Sequence, residues 1–234
     1  MRALAIIDQP SPNFDARSDG IDTLVLHYTG METGAAALAR LCDPTAKVSA
    51  HYLVEEDGRV FLLVPEEKRA WHAGVSHWQG NEGINDSSVG IEIVHPGHEW
   101  GYRPFAEQQI KSVLQLVAEI CARHHISPLR VVGHSDVAPE RKEDPGELFP
   151  WDVLAENGLA VPPVSARDLT DRPVPDYSTC LTMLREIGYR VEGVQHTAPV
   201  LAFQRRFFTE ALGKGLDGHT RQAIGVVHKV FTKT

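Results

Sequence analysis

The sequence predicts an α/β fold in which a mixed central β-sheet is flanked by helices, followed by a small three-helix C-terminal domain. Three observations lead to this prediction. Strand-like and helix-like segments alternate without a regular βαβ repeat, one pair of strands reads as a hairpin, and a proline-rich segment precedes the last helical stretch. Because a hairpin is an antiparallel pair, a doubly wound parallel sheet fits this pattern less well.

Strand-forming residues dominate the first third of the chain. Residues 21–28 form one β-rich run, and residues 49–55 and 59–64 flank the dipeptide Asp57-Gly58. Aspartate followed by glycine is a frequent hairpin turn, because glycine accepts the positive φ that such a turn needs. We therefore predict one strand at 21–28 and a hairpin that turns at Asp57-Gly58.

The middle of the chain adds two strands and one long helix. Residues 88–94 and the short run 131–132 have the apolar, β-branched character of buried strands. Residues 104–124 carry apolar side chains at helical spacing, namely Ile110, Leu114, Val117 and Cys121. This spacing predicts a helix of ordinary length that packs one face on the core.

A proline-rich linker separates two predicted domains. The segment 161–176 contains four prolines among polar residues, a composition that resists both helix and central strand. Beyond it, three segments punctuated by glycine read as short helices, at 180–187, 198–212 and 220–230. The predicted organisation is a catalytic domain at 1–160, the linker at 161–176 and a helical domain at 177–234.

The composition is that of a globular chain. It has 234 residues, of which 42% are hydrophobic and 23% charged, and its net charge is −8. These values exclude a disordered or membrane-spanning chain, and the acidic balance disfavours a nucleic-acid binder, which needs clustered lysine and arginine. Residues 1–160 hold 13 basic and 24 acidic side chains, whereas residues 161–234 hold 10 and 7. The two predicted domains therefore favour different partners.

The cysteines and the N-terminal segment bear on the cellular compartment. Cys42, Cys121 and Cys180 are odd in number and widely spaced, so we expect reduced thiols rather than a disulfide framework. The apolar run at 3–7 is too short for the core of a signal peptide. Both observations favour the cytoplasm, and the envelope stays the alternative if a leader precedes this sequence. The oligomeric state stays open.

One constellation stands out among the twelve histidines. His27 and His134 each end a predicted strand, and Asp144 follows ten residues after His134. Two imidazoles and one carboxylate, with a position left for water, form a catalytic zinc set. Glu92 lies in an otherwise apolar strand, where a carboxylate is costly to bury without a partner or a task. From spacing alone, a structural role for each of these residues stays open.

Six segments carry a resemblance to a known family. In chain order they read LVLH at 24–27, VSAHY at 48–52, RAWHAGVS at 69–76, NDSSVGIE at 85–92, VGHSD at 132–136 and RKEDPG at 141–146. Together they resemble the zinc-dependent N-acetylmuramoyl-L-alanine amidases of type 2, which are related in fold to peptidoglycan recognition proteins. The resemblance covers about residues 15–155.

The resemblance implies a mechanism and a set of roles. His27, His134 and Asp144 are implied as zinc ligands, Glu92 as the general base and Lys142 as the group that stabilises the oxyanion. The implied reaction is hydrolysis of the amide between the lactyl group of N-acetylmuramic acid and the L-alanine of the stem peptide. Zinc is the only cofactor expected, and peptidoglycan or a muropeptide is the expected partner.

Further residues of the matching segments have candidate roles. Trp71 and His72 lie on a predicted loop where they could hold sugar or peptide or pack into the core, and Arg141 is the third candidate for substrate contact. We interpret His51 as a packing residue or a residue that supports a metal ligand, rather than as a fourth ligand, because a closed four-ligand site leaves no position for water. Asp136 is expected to cap a turn or helix.

The C-terminal domain carries a second, shorter resemblance. LREIGY at 184–189, AFQRRF at 202–207 and LDGHT at 216–220 resemble the three-helix peptidoglycan-binding domain, whereas residues 193–197 depart from its pattern. Two roles stay open for this domain: it binds the cell wall, or it packs against the catalytic domain and supports it.

Two rival functions compete with that of an amidase. Recognition proteins share the implied fold, and many lose a zinc ligand and only bind, but here His27, His134, Asp144 and Glu92 are all present. A lysozyme-type hydrolase needs a carboxylate pair flanking a glycosidic bond, and none stands out. Within the family, segments 85–89 and 148–151 and the C-terminal domain favour the subtype with wide substrate range over the cytosolic subtype that acts on 1,6-anhydro muropeptides.

Overall fold

The computed structural model describes residues 4–192 and 196–233. The described residues form ten strands: β1 (Ile6–Asp8), β2 (Phe14–Ala16), β3 (Thr23–Tyr28), β4 (Tyr52–Val54), β5 (Val60–Leu62), β6 (Lys68–Ala70), β7 (His77–Trp78), β8 (Asn81–Glu82), β9 (Ser88–Ile93) and β10 (Val131–Gly133). They also form eight α-helices: α1 (Gly34–Cys42), α2 (Gly97–Trp100), α3 (Glu107–His124), α4 (His134–Val137), α5 (Trp151–Glu156), α6 (Tyr177–Ile187), α7 (Thr197–Phe207) and α8 (Gly218–Thr232).

The central sheet is mixed, which confirms the predicted fold class. Its strand order is β1-β5-β4-β9-β3-β10. The β4–β5 pair is antiparallel, whereas β1–β5, β4–β9, β9–β3 and β3–β10 are parallel. The predicted hairpin is therefore the one antiparallel step in this sheet, and two small ribbons, β2–β6 and β7–β8, lie outside it.

Two hydrophobic layers cover the sheet. Leu24 and Leu26 of β3 lie in one buried cluster with Val113 and Val117 of α3. Val25, between them, belongs to a second cluster that contains residues of the C-terminal helices. Because successive side chains of a strand point to opposite faces, α3 covers one face of the sheet and the C-terminal helices help to cover the other.

The C-terminal region contains the three predicted helices, α6, α7 and α8. Asp176 and Asp217 cap α6 and α8, since each side chain accepts a hydrogen bond from a backbone N–H in the first turn. Within the predicted linker, Val161 and Leu169 are buried in the same cluster as the helices. Residues 193–195, part of the segment that departs from the peptidoglycan-binding pattern, lie outside the described residues. Among the residues described, no helix is long and apolar enough to cross a membrane.

Candidate metal centre

Three side chains converge at the carboxyl end of two neighbouring strands. His27 is the fifth residue of β3, and His134 begins α4 directly after β10. Because β3 and β10 are adjacent and parallel, their carboxyl ends meet at the same edge of the sheet. The loop after α4 returns Asp144 to this edge, where its backbone carbonyl accepts a hydrogen bond from Ser135 N at 2.9 Å.

The donor atoms of these three residues face one another. Asp144 Oδ2 lies 3.1 Å from His27 Nδ1 and 3.0 Å from His134 Nδ1, and the two Nδ1 atoms are 2.8 Å apart. All three residues are buried. Two imidazole nitrogens and one carboxylate oxygen at this spacing fit a tetrahedral zinc ion with one position left for water or substrate.

The remaining ring nitrogens have partners that fix the tautomers. His27 Nε2 is 3.0 Å from His72 Nδ1, and His72 Nε2 is 3.1 Å from Ser88 Oγ. His134 Nε2 is 3.2 Å from the backbone carbonyl of Ala73. A carbonyl only accepts, so His134 Nε2 carries the proton and Nδ1 keeps its lone pair for a metal; the chain through His72 supports the same tautomer of His27.

The pKa values of the cluster follow from burial and from the neighbouring charges. Burial, with His134 nearby, lowers the pKa of His27 to about 4. Burial alone would raise the pKa of Asp144, but His134 and His27 outweigh it, and the pKa lies well below its ordinary range. The cluster is therefore held with a neutral imidazole at His27 and a carboxylate at Asp144, the forms that ligate metals.

Glu92 lies beside this cluster on β9. Burial raises its pKa well above the ordinary value, Asp144 adds to this rise, and Lys142 opposes it. Glu92 Oε2 is buried and has no hydrogen-bond partner among the described residues. A buried carboxylate oxygen without a partner is costly, so its position next to the His27–His134–Asp144 group indicates a chemical task.

An open cavity of about 390 Å³ borders the cluster. Its lining includes His134, Asp144, Glu92 and Lys142 together with Arg40, at the end of α1. No sequence motif points to Arg40, and α1, the helix that carries it, is not predicted by the sequence. A ligand in this cavity would lie beside the carboxylates of Glu92 and Asp144 and three cationic side chains, those of Arg40, Arg141 and Lys142.

The candidate substrate residues lie in three different settings. His72 is buried between His27 and Ser88 and also lines the cavity. Arg141 lines the cavity and donates hydrogen bonds to the carbonyls of Ala73 and Val75. Trp71 donates from Nε1 to Asp15 Oδ2 at 2.7 Å and is not among the residues that line the cavity. Substrate contact by His72, Arg141 and Trp71 stays a prediction.

His51 and Asp136 have the structural contacts that were expected of them. His51 Nδ1 accepts from Gly90 N at 2.9 Å, and Nε2 lies 3.1 Å from the carbonyl of Lys68. Asp136 Oδ2 accepts from Gly133 N at 2.8 Å and so caps α4. Neither residue belongs to the group of converging donor atoms.

The chain is similar in sequence to known amidases. A family model described as N-acetylmuramoyl-L-alanine amidase matches residues 17–147. The amidase AmiD of Escherichia coli is 39% identical over 224 residues, which cover 86% of this chain and 80% of the relative. The 1,6-anhydro-N-acetylmuramyl-L-alanine amidase AmpD of Citrobacter freundii is 33% identical over 180 residues, which cover 69% of this chain and 92% of the relative.

Two solved structures are similar over nearly the whole chain. The complex of E. coli AmiD with anhydro-N-acetylmuramic acid-L-Ala-D-γ-Glu-L-Lys superposes with a TM-score of 0.80 at 35% identity, covering 90% of this chain and 89% of that one. AmpDh3 from Pseudomonas aeruginosa in complex with anhydromuramic pentapeptide gives a TM-score of 0.81 at 32% identity, covering 90% and 92%. The similarity extends beyond residue 147, where the family model ends.

Proposed function

The chain belongs to the type 2 N-acetylmuramoyl-L-alanine amidase family, and on this premise we propose that it is a zinc hydrolase that releases L-alanine-linked stem peptides from the lactyl group of N-acetylmuramic acid in peptidoglycan fragments. Amidase activity follows from the family, whereas the metal and the residue roles are our proposal. The observation that carries it is the convergence of His27, His134 and Asp144 beside a cavity that Glu92 also lines.

Each polar residue of the site has one role in this mechanism. His27, His134 and Asp144 would hold a zinc ion, which would supply Lewis-acid chemistry for amide hydrolysis near neutral pH. Glu92 takes a proton from the attacking water and delivers it to the leaving nitrogen of L-alanine. Lys142 places an ammonium group near the negative charge that develops on the carbonyl oxygen.

His72 and Ala73 orient the metal ligands. His27 Nε2–H donates to His72 Nδ1, and His134 Nε2–H donates to the carbonyl of Ala73. Partners of this kind fix the ring orientation and make the ligand nitrogen more basic. Arg141 supports the same loop through its hydrogen bonds to the carbonyls of Ala73 and Val75.

The cations of the cavity suit an acidic stem peptide. Arg40, Arg141 and Lys142 line it, and Arg141 is occupied by backbone carbonyls. The Arg40 side chain makes no hydrogen bond or ion pair within residues 4–192 and 196–233. In the substrate of the E. coli AmiD complex, D-Glu is linked through its γ-carboxyl group and keeps a free α-carboxylate. We assign this carboxylate to Arg40.

Mass spectrometry of defined muramyl tripeptides tests the proposal. Normal and 1,6-anhydro substrates are incubated with the protein as purified, with a chelator, and with zinc restored after chelation. We expect loss of the peptide at the lactyl–L-alanine bond, suppression by the chelator and recovery with zinc. The ratio of the two rates gives the preference between normal and anhydro sugars.

Two outcomes would contradict the proposal in different ways. Cleavage that persists after complete removal of the metal would contradict the role of zinc. If neither substrate is cut with zinc present, the protein is a recognition protein instead, and its binding to intact peptidoglycan becomes the measurement of interest.

The free thiols of Cys42, Cys121 and Cys180 accord with the predicted cytoplasmic compartment, which stays a prediction.

A further inference from the structure

The C-terminal helices share a hydrophobic core with the strands that carry the histidine ligands. Val25, two residues before His27, and Val132, two residues before His134, lie in one buried cluster with Leu184 of α6 and Phe203 of α7. Side chains two apart on a strand point to the same face, so Val25 and His27 share a face of β3. The C-terminal helices therefore pack behind the metal centre rather than at a distant surface.

A buried hydrogen-bond chain connects this region to His134. Tyr189 donates from its hydroxyl to Asp136 Oδ1 at 2.6 Å, and Asp136 Oδ2 accepts from Gly133 N at 2.8 Å. Tyr189 and Asp136 are 1% and 2% exposed. Gly133 N–H precedes His134, the first residue of α4, so the carboxylate of Asp136 fixes the turn that aims this ligand.

A buried cation stabilises the charge of Asp136. Arg206 lies close enough to Asp136 for its positive charge to interact with the carboxylate. The Arg206 guanidinium is buried, donates to the carbonyl of Val161 at 2.9 Å and stacks 3.6 Å over the Trp151 ring. Tyr189 and Arg206 together keep a buried carboxylate both hydrogen-bonded and close to a positive charge, as a buried ionised group requires.

A second connection reaches the neighbours of Asp144 and His27. Arg205 of α7 donates from Nη2 to Glu143 Oε1 at 3.1 Å and lies 3.3 Å from Glu147 Oε2 through Nε. Glu143 directly precedes Asp144. Glu147 contacts His98 Nε2 at 3.2 Å, and His98 Nδ1 contacts the Tyr28 hydroxyl at 2.9 Å. Tyr28 directly follows His27, so this network flanks two further ligands.

We propose that Tyr189 and Arg205 are positioning residues of the metal centre, which makes the C-terminal helical region part of the zinc site itself. This inference rests on the proposed function, because it assumes that His27, His134 and Asp144 hold zinc. Tyr189 acts on His134 through Asp136, and Arg205 acts on Asp144 through Glu143. Neither residue touches the substrate in this proposal.

The test compares zinc affinity in five variants of the full chain, the fifth being the conservative Arg205→Lys. Tyr189→Phe and Arg205→Gln remove the two connections. Tyr177→Phe is the matched control for the first, because Tyr177 is an exposed tyrosine of α6 that contacts His196. Arg190→Gln is the matched control for the second, because Arg190 pairs with Glu82 and Glu192, neither of which adjoins a metal ligand.

Zinc affinity is measured by competition with a chromophoric chelator, at a temperature well below each melting midpoint. We expect Tyr189→Phe and Arg205→Gln to weaken zinc binding about 10- to 100-fold, the usual effect of losing an outer partner of a ligand. The two controls should bind zinc as the wild type does. Arg205→Lys, which keeps a cation near Glu143, should recover part of the loss.

Spectroscopy and kinetics separate positioning from mere packing. The visible absorption of the cobalt-substituted protein reports coordination geometry, and we expect it to change in the two positioning variants alone. At saturating zinc, kcat should fall while KM stays unchanged. Arg205→Gln keeps the test decisive if Tyr189→Phe does not fold.

Several results would overturn the inference. If the variants melt at lower temperature but keep wild-type zinc affinity and cobalt spectrum, the contacts only stabilise the fold, and the proposed function stands. If the wild type itself binds no zinc, the proposed function fails, and the positioning role fails with it.

Discussion

His27 and Glu92 are register partners in the parallel β3–β9 ladder. Register partners point to the same face of a sheet, and neighbouring strands lie about 4.8 Å apart. The ladder therefore places the proposed base next to a proposed metal ligand without the help of a loop. Leu26 pairs with Ile91 and faces α3. A shift of the β3 register by one residue would therefore turn His27 towards the α3 core and Leu26 towards the metal site.

Glu92→Gln separates the chemical role of Glu92 from a structural one. We expect kcat to fall about 10²- to 10⁴-fold, the usual contribution of a general acid–base group. We also expect a higher melting temperature, because Glu92 Oε2 is buried without a partner among the described residues and the amide carries no charge. Turnover is measured by chromatography of the muramyl peptide, and metal content by elemental analysis.

Glu107→Gln, on the exposed start of α3, is the matched control for Glu92→Gln and should change neither turnover nor melting temperature noticeably. Turnover of Glu92→Gln near the wild-type rate would remove this residue from the proton transfer. A loss of activity accompanied by a loss of zinc would instead place its role in the metal site.

The sequence predicts the strands that carry His27 and Glu92 well, because their signals are local. β3 and β9 are six-residue runs of mostly apolar side chains, and the predicted boundaries 21–28 and 88–94 differ from the observed ones by at most two residues at each end. β1 was not predicted, because Ile6–Asp8 is short and exposed and lacks an alternating pattern. α1 was also not predicted, although Thr33 caps it and Ala37 and Leu41 recur at helical spacing.

The contacts that support the site cannot be predicted from the sequence. Tyr189 and Asp136 are 53 residues apart, and no local pattern connects a tyrosine after a helix to a carboxylate in another region. The position of His72 cannot be predicted from the sequence either. A histidine beside a tryptophan on a loop has the same local sequence whether its ring faces a ligand histidine or the solvent, so its position against His27 required the folded chain.

Gly90→Ala tests how tightly His72 is held against His27. A Cβ atom at residue 90 would lie 2.4 Å from Cγ of the His72 ring, so the ring would have to move. We expect an unfolding free energy lower by about 1–3 kcal/mol, the usual cost of overpacking, together with weaker zinc binding. Chemical denaturation and chelator competition measure the two effects.

Gly20→Ala is the matched control for Gly90→Ala, since a Cβ at Gly20 has no heavy atom within 4 Å. It should leave both quantities near their wild-type values. If Gly90→Ala weakens the fold but binds zinc normally, the His72 ring has room to move without disturbing His27, and its orienting role is contradicted.

The low pKa of buried His51 predicts that the unfolding free energy falls in mild acid. Burial lowers its pKa to about 4 from the ordinary value of 6.5, so the folded protein keeps His51 neutral where the unfolded chain binds a proton. The unfolding free energy should therefore be fully present above pH 6.5 and fall as the pH drops towards 4, by at most about 1.4 kcal/mol per pH unit for this one group.

His51→Gln isolates this effect from that of the other buried histidines. Urea denaturation of the wild type and the variant at several pH values between 7 and 4.5 should give a shallower dependence for the variant. His219→Gln, at an exposed position of α8, should keep the wild-type dependence. Equal slopes for His51→Gln and the wild type would show that His51 does not resist protonation in the folded state.

Arg40→Met tests which part of the substrate contacts the Arg40 guanidinium. If Arg40 binds the free α-carboxylate of D-Glu, its loss should raise KM about 3- to 10-fold for a D-Glu substrate, as expected for a partly exposed ion pair of about 1 kcal/mol. The same substrate with that carboxylate converted to an amide should have a higher KM with the wild type, and Arg40→Met should raise it no further. Arg59→Met, at an exposed arginine paired with Asp57, serves as the control. An equal rise of KM for the acid and the amide would contradict the assignment, because the contribution of Arg40 would then be independent of the carboxylate.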